Sequence, residues 1–579
     1  MNDTVGEDII RHGDRYYIAA DSSYADDRAW VLNHGDTFAV FDRWGDIHAM
    51  STVQGLYHRD TRYVSGLDLR LGGRRPLLLS SALRESNEAL SVDLTNPVLL
   101  DAEGAPVPQG VIHLRRDKLV HVGVHYDELS IANYDQAAHD LAVSLHLACD
   151  FHDIFEVRGT PRARRGQTLP PQRASDRLVF TYVGLDGRTR HSEFAFEPPP
   201  ERLGAGVATF RLRLAPGERR RVGCSVLCRE DEVPANPLRR REALVARTRA
   251  LRESGARLAV VRTSHQRFDR WIQRAQADLA SLIADTPHGP YPYAGVPWYN
   301  TAFGRDGLLT ALETLWLAPE LARGVLRVAA ANQASEEDAA RDAEPGKIFH
   351  ELRSGEMAAL GEVPFARYYG SVDATPLFVM LAGAYHRRTG DLELIRELWP
   401  NLLAALAWIE RYGDADGDGF VEYRPRGPDS LGNQGWKDSC DAVSHADGTL
   451  AAPPIALCEV QGYVYAAWRE AAGLMRHLGE ADRATRLERR AAALRVRFDA
   501  AFWDDELGCP VLALDGAKRP CRVRSSNAGH CLWTGLVEPL RAARLAATLM
   551  APEMFSGWGV RTLGSDAARY NPMSYHNGS

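Results

Sequence analysis

At 579 residues the chain is too long for one hydrophobic core, so two or more domains are expected. A 45% hydrophobic and 25% charged composition is that of a soluble globular protein, and the net charge of −7 argues against a nucleic-acid binder. No apolar run is long enough to span a membrane.

The first eight residues, Met1 to Asp8, are acidic and lack an apolar segment, so no signal peptide is read there. The eight cysteines are scattered without metal-type spacing, which fits reduced thiols in a cytoplasm. Cys224 and Cys228 share parity in a strand-like run, which puts both on one face.

Residues 1–235 read as β. Alternating runs such as 37–41 and 142–147 are separated by turn signals at Gly45-Asp46, Gly72-Gly73 and Pro216-Gly217. That pattern predicts a β-sandwich. The stretches 55–62 and 153–159 are unusually polar for such a region. The basic, Pro-containing segment 160–173 is expected to be an exposed loop, and the Arg runs at 162–165, 219–221 and 239–241 solvated faces or loop edges.

Residues 236–262 read as a charged linker helix followed by a short strand at Leu258-Ala259-Val260-Val261. From residue 263 onward the apolar period is helical. Segments are predicted near 264–284, 306–317, 319–333, 373–389, 391–412, 459–478, 480–502, 527–535 and 537–550. The intervening loops 285–305, 334–372, 413–458 and 551–579 are long and rich in Gly, Trp, Tyr, Arg and Asp. Long loops in a compact domain are usually functional. Helix pairs with such loops at one end suggest an α/α barrel with a cleft there.

The loop 432–441 contains Gly435-Trp436-Lys437-Asp438. An indole beside a carboxyl desolvates it and raises its pKa, as a general acid requires; an ordinary turn-capping Asp438 is the alternative. Trp298, Tyr299, Phe303, Arg305 and Asp306 run directly into a helix. They supply aromatic faces for sugar rings and charged groups for hydroxyls, although Asp306 alone could be a helix cap. His350, Glu351 and Arg353 form a polar cluster that is either substrate-binding or a salt-bridged loop. Position 354 is Ser, so the zinc-protease pattern fails. Tyr369 and Asp373 precede another helix, which Asp373 could simply cap. His530, Trp558, Arg561, Tyr575 and His576 lie in further aromatic and polar loops. Asp414-Ala415-Asp416-Gly417-Asp418 resembles the start of a calcium loop, but Pro425 stands where the bidentate Glu belongs, so a tight turn is preferred. No metal and no cofactor is expected.

With these motifs assembled, the chain resembles the bacterial glycogen-debranching, amylo-α-1,6-glucosidase-like family. The resemblance rests on 45–62, Thr95-Asn96-Pro97, 153–159, Phe303-Gly304-Arg305-Asp306, 371–376, 435–439, 526–530, Ser556-Gly557-Trp558-Gly559 and 575–579. It implies an N-terminal β-sandwich (1–235) and a C-terminal (α/α)6 toroid barrel (263–579), with inverting hydrolysis of α-glucosidic bonds. By the same resemblance Asp438 is the general acid, and Arg305 with Asp306 holds the sugar. Such a barrel has twelve helices against the nine read here. The last helices are therefore expected to be missing, and the catalytic base, left unassigned, to lie beyond Ser579. Inversion needs that second carboxylate roughly 6.5–9.5 Å from the acid. A disaccharide phosphorylase, in which phosphate replaces the activated water, and a non-catalytic glycan-binding protein are the rival readings. Each takes an oligosaccharide or polysaccharide as partner.

Overall fold

The computed structural model describes residues 9–12, 15–18, 29–48, 53–231, 237–256 and 258–578. The N-terminal half is built from antiparallel sheets. The largest has eight strands in the order Gln167–Arg173, Arg177–Val183, Thr189–Glu197, Arg219–Glu230, Val124–Asn133, Ile112–His121, Ala89–Thr95 and Leu77–Leu83. A second sheet orders Arg202–Leu203, Val207–Leu214, His139–Ala148 and Gly66–Leu71. A third runs Trp30–His34, Thr37–Phe41, Gly55–His58 and Thr61–Val64. Strand His139–Ala148 alternates buried and partly exposed residues, as a strand with one covered face must. Leu69, Val143 and Leu145 from one sheet meet Leu94, Leu114, Phe194 and Val226 from another in a common core. Cys224 and Cys228 are both buried in it.

That core encloses a charged cluster. Arg116 Nη2 donates to Asp127 Oδ2 at 2.7 Å and Nη1 to Asp46 Oδ1 at 2.5 Å, while Lys118 Nζ donates to the same Asp127 oxygen at 2.6 Å. Burial pulls the Lys118 ammonium down to about 8. Gly45 lies on this cluster at φ +75°, where a Cβ would meet Lys118 Cε at 2.8 Å. Replacing Arg116 by Met would leave buried Asp127 with Lys118 alone and buried Asp46 with only Arg75, at 3.3 Å. A loss of about 3–5 kcal/mol in urea unfolding is expected; a loss under 1 kcal/mol would mean that Arg116 is not needed to balance these carboxylates.

Twelve α-helices are described: α1 Ile154–Val157, α2 Arg240–Ala256, α3 Gln266–Leu282, α4 Gly304–Glu313, α5 Pro319–Ala331, α6 Glu356–Ala359, α7 Ala374–Thr389, α8 Leu392–Arg411, α9 Cys458–His477, α10 Ala481–Phe502, α11 Asn527–Trp533 and α12 Pro539–Leu549. Each of the nine helical segments expected after residue 263 coincides with one of these. Helix α4 packs on α7, α7 on α9 and α9 on α11, each followed by a partner in the order α5, α8, α10 and α12. Helices α7 and α9 are buried on nearly all sides, whereas α8 and α10 bury one stripe. The first set is therefore an inner layer and the second an outer one. No described helix is long and apolar enough to cross a membrane.

Three expectations are corrected. Leu258 to Val261 is not a strand: Ala259 N donates to Leu317 O, Val260 is exposed, and no strand among the described residues pairs with the run. Residues 167–173 are not loop but an edge strand, whose register shifts between Leu169 and Gln172. Pro170 and Pro171 sit in that irregularity, where missing ladder donors are tolerated. Arg162 is not solvated. It pairs with Glu356 at 3.0 Å and Glu362 at 2.6 Å in the helical half.

Candidate active site

The inner helices α4, α7, α9 and α11 open on one cleft. Their N-terminal turns bring Arg305, Asp373, Glu459 and His530 to it or just behind it. Gly304 opens α4 because nothing larger fits: a Cβ there would lie 2.0 Å from Phe349 O. The cleft has a volume of about 370 Å³. Tyr299, Phe303, Arg305, Asp306, Trp436, Asp438, His530, Tyr575 and His576 line it, joined by Tyr463 and Ser526.

Arg305 is the hub. Its Nη1 donates to Asp373 Oδ2 at 3.1 Å and to Gly435 O at 3.0 Å, and its Nη2 to Asp438 Oδ2 at 3.3 Å. Asp373 precedes α7 but makes no side-chain cap bond. Its carboxylate instead accepts from Ser371 Oγ at 2.6 Å and from Arg305. Asp306 is not a cap either, since Phe303 holds that position in α4. Burial raises the Asp438 carboxyl above its ordinary value, opposed by Arg305 and reinforced by Asp373. Asp306 shifts the same way, again chiefly from burial.

The wall beside Asp438 is aromatic. Trp436 stands 6.2 Å from His530 and edge-on to His576 at 5.9 Å. His576 Nδ1 accepts from Ser439 N at 3.2 Å, contacts Ser439 Oγ at 2.6 Å and lies 4.0 Å from Asp438 Oδ1. Burial pulls the His576 imidazole down to about 4, so it is neutral at pH 7. Tyr463 Oη meets His530 Nδ1 at 2.8 Å. Behind the wall, Glu459 is fully buried and is pushed by burial to about 7.

The other expected contacts sit elsewhere. Asp373 and Lys437 back the cleft; Lys437 turns its ammonium to Thr562 O and lies over the Trp436 ring at 5.2 Å. Trp298 packs with Phe155 and Met357 between the two halves. His350 is buried edge-on to Phe303, and Glu351 pairs with Arg353 at 2.9 Å. Tyr369 donates to Asn332 O, and Arg561 reaches Tyr570 Oη and Pro552 O. Trp558 is 99% exposed and does not line the cleft. None of these side chains is among those that line the cleft. Tyr463 and Glu459 were not expected: both sit in a helix that reads as buried core, and only a polar atom at a buried position marked them. Ser526 lay in a recognised motif without an assigned role.

The acidic loop has a cation of its own. Lys518 Nζ lies 2.8 Å from Asp416, 2.7 Å from Asp418 and 2.7 Å from Glu422. An ammonium there competes with any divalent ion. Millimolar calcium is therefore expected to leave the melting temperature unchanged, and a rise of several degrees would contradict that reading.

Two family domains match the sequence. Residues 32–225 match the N-terminal domain of (some) glycogen debranching enzymes, and residues 299–579 the mannosylglycerate hydrolase MGH1-like glycoside hydrolase domain. No curated protein matches. Among solved structures, a protein assigned as a kojibiose phosphorylase, from the human microbiome, shares the fold at TM-score 0.50 and 10% identity, with 83% of this chain and 69% of that chain covered. A bacterial glucoamylase complexed with acarbose aligns at TM-score 0.47 and 10% identity, covering 86% of this chain and 75% of that one. The architecture is that of a β-sandwich followed by an (α/α)6-type glycosidase domain. The chain thus joins a region that matches the N-terminal domain of (some) glycogen debranching enzymes to an MGH1-like glycoside hydrolase domain.

Proposed function

We propose that this protein hydrolyses α-glucosidic bonds in oligosaccharides or glycogen-like branches, with inversion, in the manner of an amylo-α-1,6-glucosidase. Asp438 protonates the departing oxygen. Arg305 and Asp306 hold the sugar, and Trp436, Tyr299 and Phe303 supply its apolar walls. The observation that supports this most is Asp438 in an aromatic-lined cleft, its carboxyl raised by burial yet kept in place by the Arg305 hydrogen bond. A raised carboxyl pKa lets the group hold its proton to higher pH than an ordinary carboxyl, as a general acid needs. The eight free thiols fit the cytoplasmic reading.

Phosphorolysis would use the same protonation, with phosphate as nucleophile. One experiment separates the readings. Isomaltose, maltose, trehalose, glucosylglycerate and a branched limit dextrin are incubated with the protein, with and without inorganic phosphate, and products are followed by NMR. Free sugar of inverted anomeric configuration, independent of phosphate, is the expected result. Sugar 1-phosphate formed only with phosphate would replace hydrolysis by phosphorolysis. Saccharide binding without release would leave a glycan-binding protein.

A further inference from the structure

We propose that Asp60, on the β-sandwich, is a positioning residue for the sugar cleft of the helical domain, acting through the 350–357 segment on the 298–305 loop. The proposal rests on the glycosidase reading of that cleft. Asp60 sits at φ +59° in the turn between strands Gly55–His58 and Thr61–Val64. Its Oδ1 accepts from Arg353 Nη1 at 3.0 Å and its Oδ2 from Ser354 N at 2.9 Å. Beside it, Asp153 Oδ2 accepts from Met357 N at 3.0 Å. The residue before Met357, Glu356, accepts from Tyr182 Oη at 2.8 Å and from Leu185 N. The sandwich thus holds this segment at successive points. The fit is close: a Cβ on Gly355 would come within 2.4 Å of Asp153 Oδ2 and 3.1 Å of Asp60 Cβ.

The same segment grips the cleft loop from its other side. His350 O accepts from Gly304 N at 2.9 Å, and Leu352 N donates to Ala302 O at 3.1 Å. Arg353 Nη2 donates to Trp298 O at 2.8 Å, and its guanidinium lies 5.5 Å over the Phe303 ring. Phe303 lines the cleft and meets Tyr299 edge-on at 5.7 Å. Arg353 is buried, so it holds Trp298 and Phe303 where it does only while Asp60 and Glu351 balance its charge. The sandwich carboxylate therefore sets the position of one wall of the sugar site without touching the sugar.

The test is Asp60→Asn in the full chain, read by amide hydrogen exchange over 299–305 and by kinetics on whichever saccharide of the panel is cleaved. Arg59→Ala is the control, because Arg59 pairs outward with Glu230 and Asp36 from the same turn. Asp60→Asn is expected to speed exchange at 299–305 by about tenfold, the loss of one charged hydrogen bond. KM should rise with little change in kcat, and exchange in strand Ile112–His121 should stay as in wild type. Unchanged exchange at 299–305, or equal loosening throughout the sandwich, would overturn the proposal. Should Asp60→Asn not fold, Arg353→Lys keeps the charge but not the simultaneous bonds, and the same two outcomes decide. Exchange needs no turnover, so a protein that cleaves nothing in the panel would refute the glycosidase reading while the positioning link is still measured.

Discussion

Asp438→Asn is expected to lower kcat by about 10²–10⁴-fold, the usual contribution of a general acid, while the protein stays folded. The amide keeps the shape of the carboxyl and can still meet Arg305, but it has no proton to give. The pH dependence carries a second signature. Burial raises the Asp438 carboxyl above the ordinary range, and the protonated form is the working one. Wild-type activity should therefore fall as pH rises through that value. The residual activity of Asp438→Asn should lose this alkaline limb. A variant that keeps both near-wild-type turnover and the limb would remove Asp438 from the mechanism.

Arg305→Leu is expected to be the most destabilising change in the cleft, at about 3–5 kcal/mol, because it breaks a buried pair by removing one partner. Asp373 is fully buried and Arg305 is its cationic partner, while Gly435 O loses the same donor. Ser371 Oγ would remain on Asp373 but cannot neutralise it. The sign at Asp438 is also fixed. Arg305 lowers its pKa, so removing the cation raises it further. A carboxyl with a more raised folded pKa binds its proton more tightly in the native than in the unfolded state, and stability then declines as pH rises. The variant should therefore lose more stability relative to wild type at pH 8 than at pH 5. Urea unfolding at the two pH values measures this. Equal losses at both would mean that Asp438 does not feel the Arg305 charge.

The candidate residues of this cleft were legible from loop composition, and their roles only from the family resemblance. Arg305 and Asp306 stand at the start of a helix behind Tyr299 and Phe303, and Asp438 follows Trp436. Each is a chemistry-bearing residue at the edge of an apolar period, where loops collect function. Asp373 was legible as important but not in kind. Its place before α7 suggested a cap, and only the fold brings it to Arg305, 68 residues away. The Asp60–Arg353 pair spans 293 residues and two domains, so no local pattern could have joined its members. Tyr463 was hidden for the opposite reason. It belongs to α9, whose residues are buried on nearly all sides, and a cleft-facing Tyr there has the same periodicity as a core one. Leu258 to Val261 had strand composition, yet composition cannot supply a neighbouring strand.

The measurement that tests the central claim most directly compares two leaving groups. Wild type and Asp438→Asn are assayed on α-glucosyl fluoride, whose departing fluoride needs little protonation, and on the best natural glycoside of the panel, whose departing alkoxide needs it fully. Proton donation by Asp438 predicts a loss of about 10²–10⁴-fold on the glycoside and a far smaller one on the fluoride. Equal losses on both substrates would contradict it, and would leave Asp438 as a group that holds Arg305 and the sugar rather than one that gives up a proton.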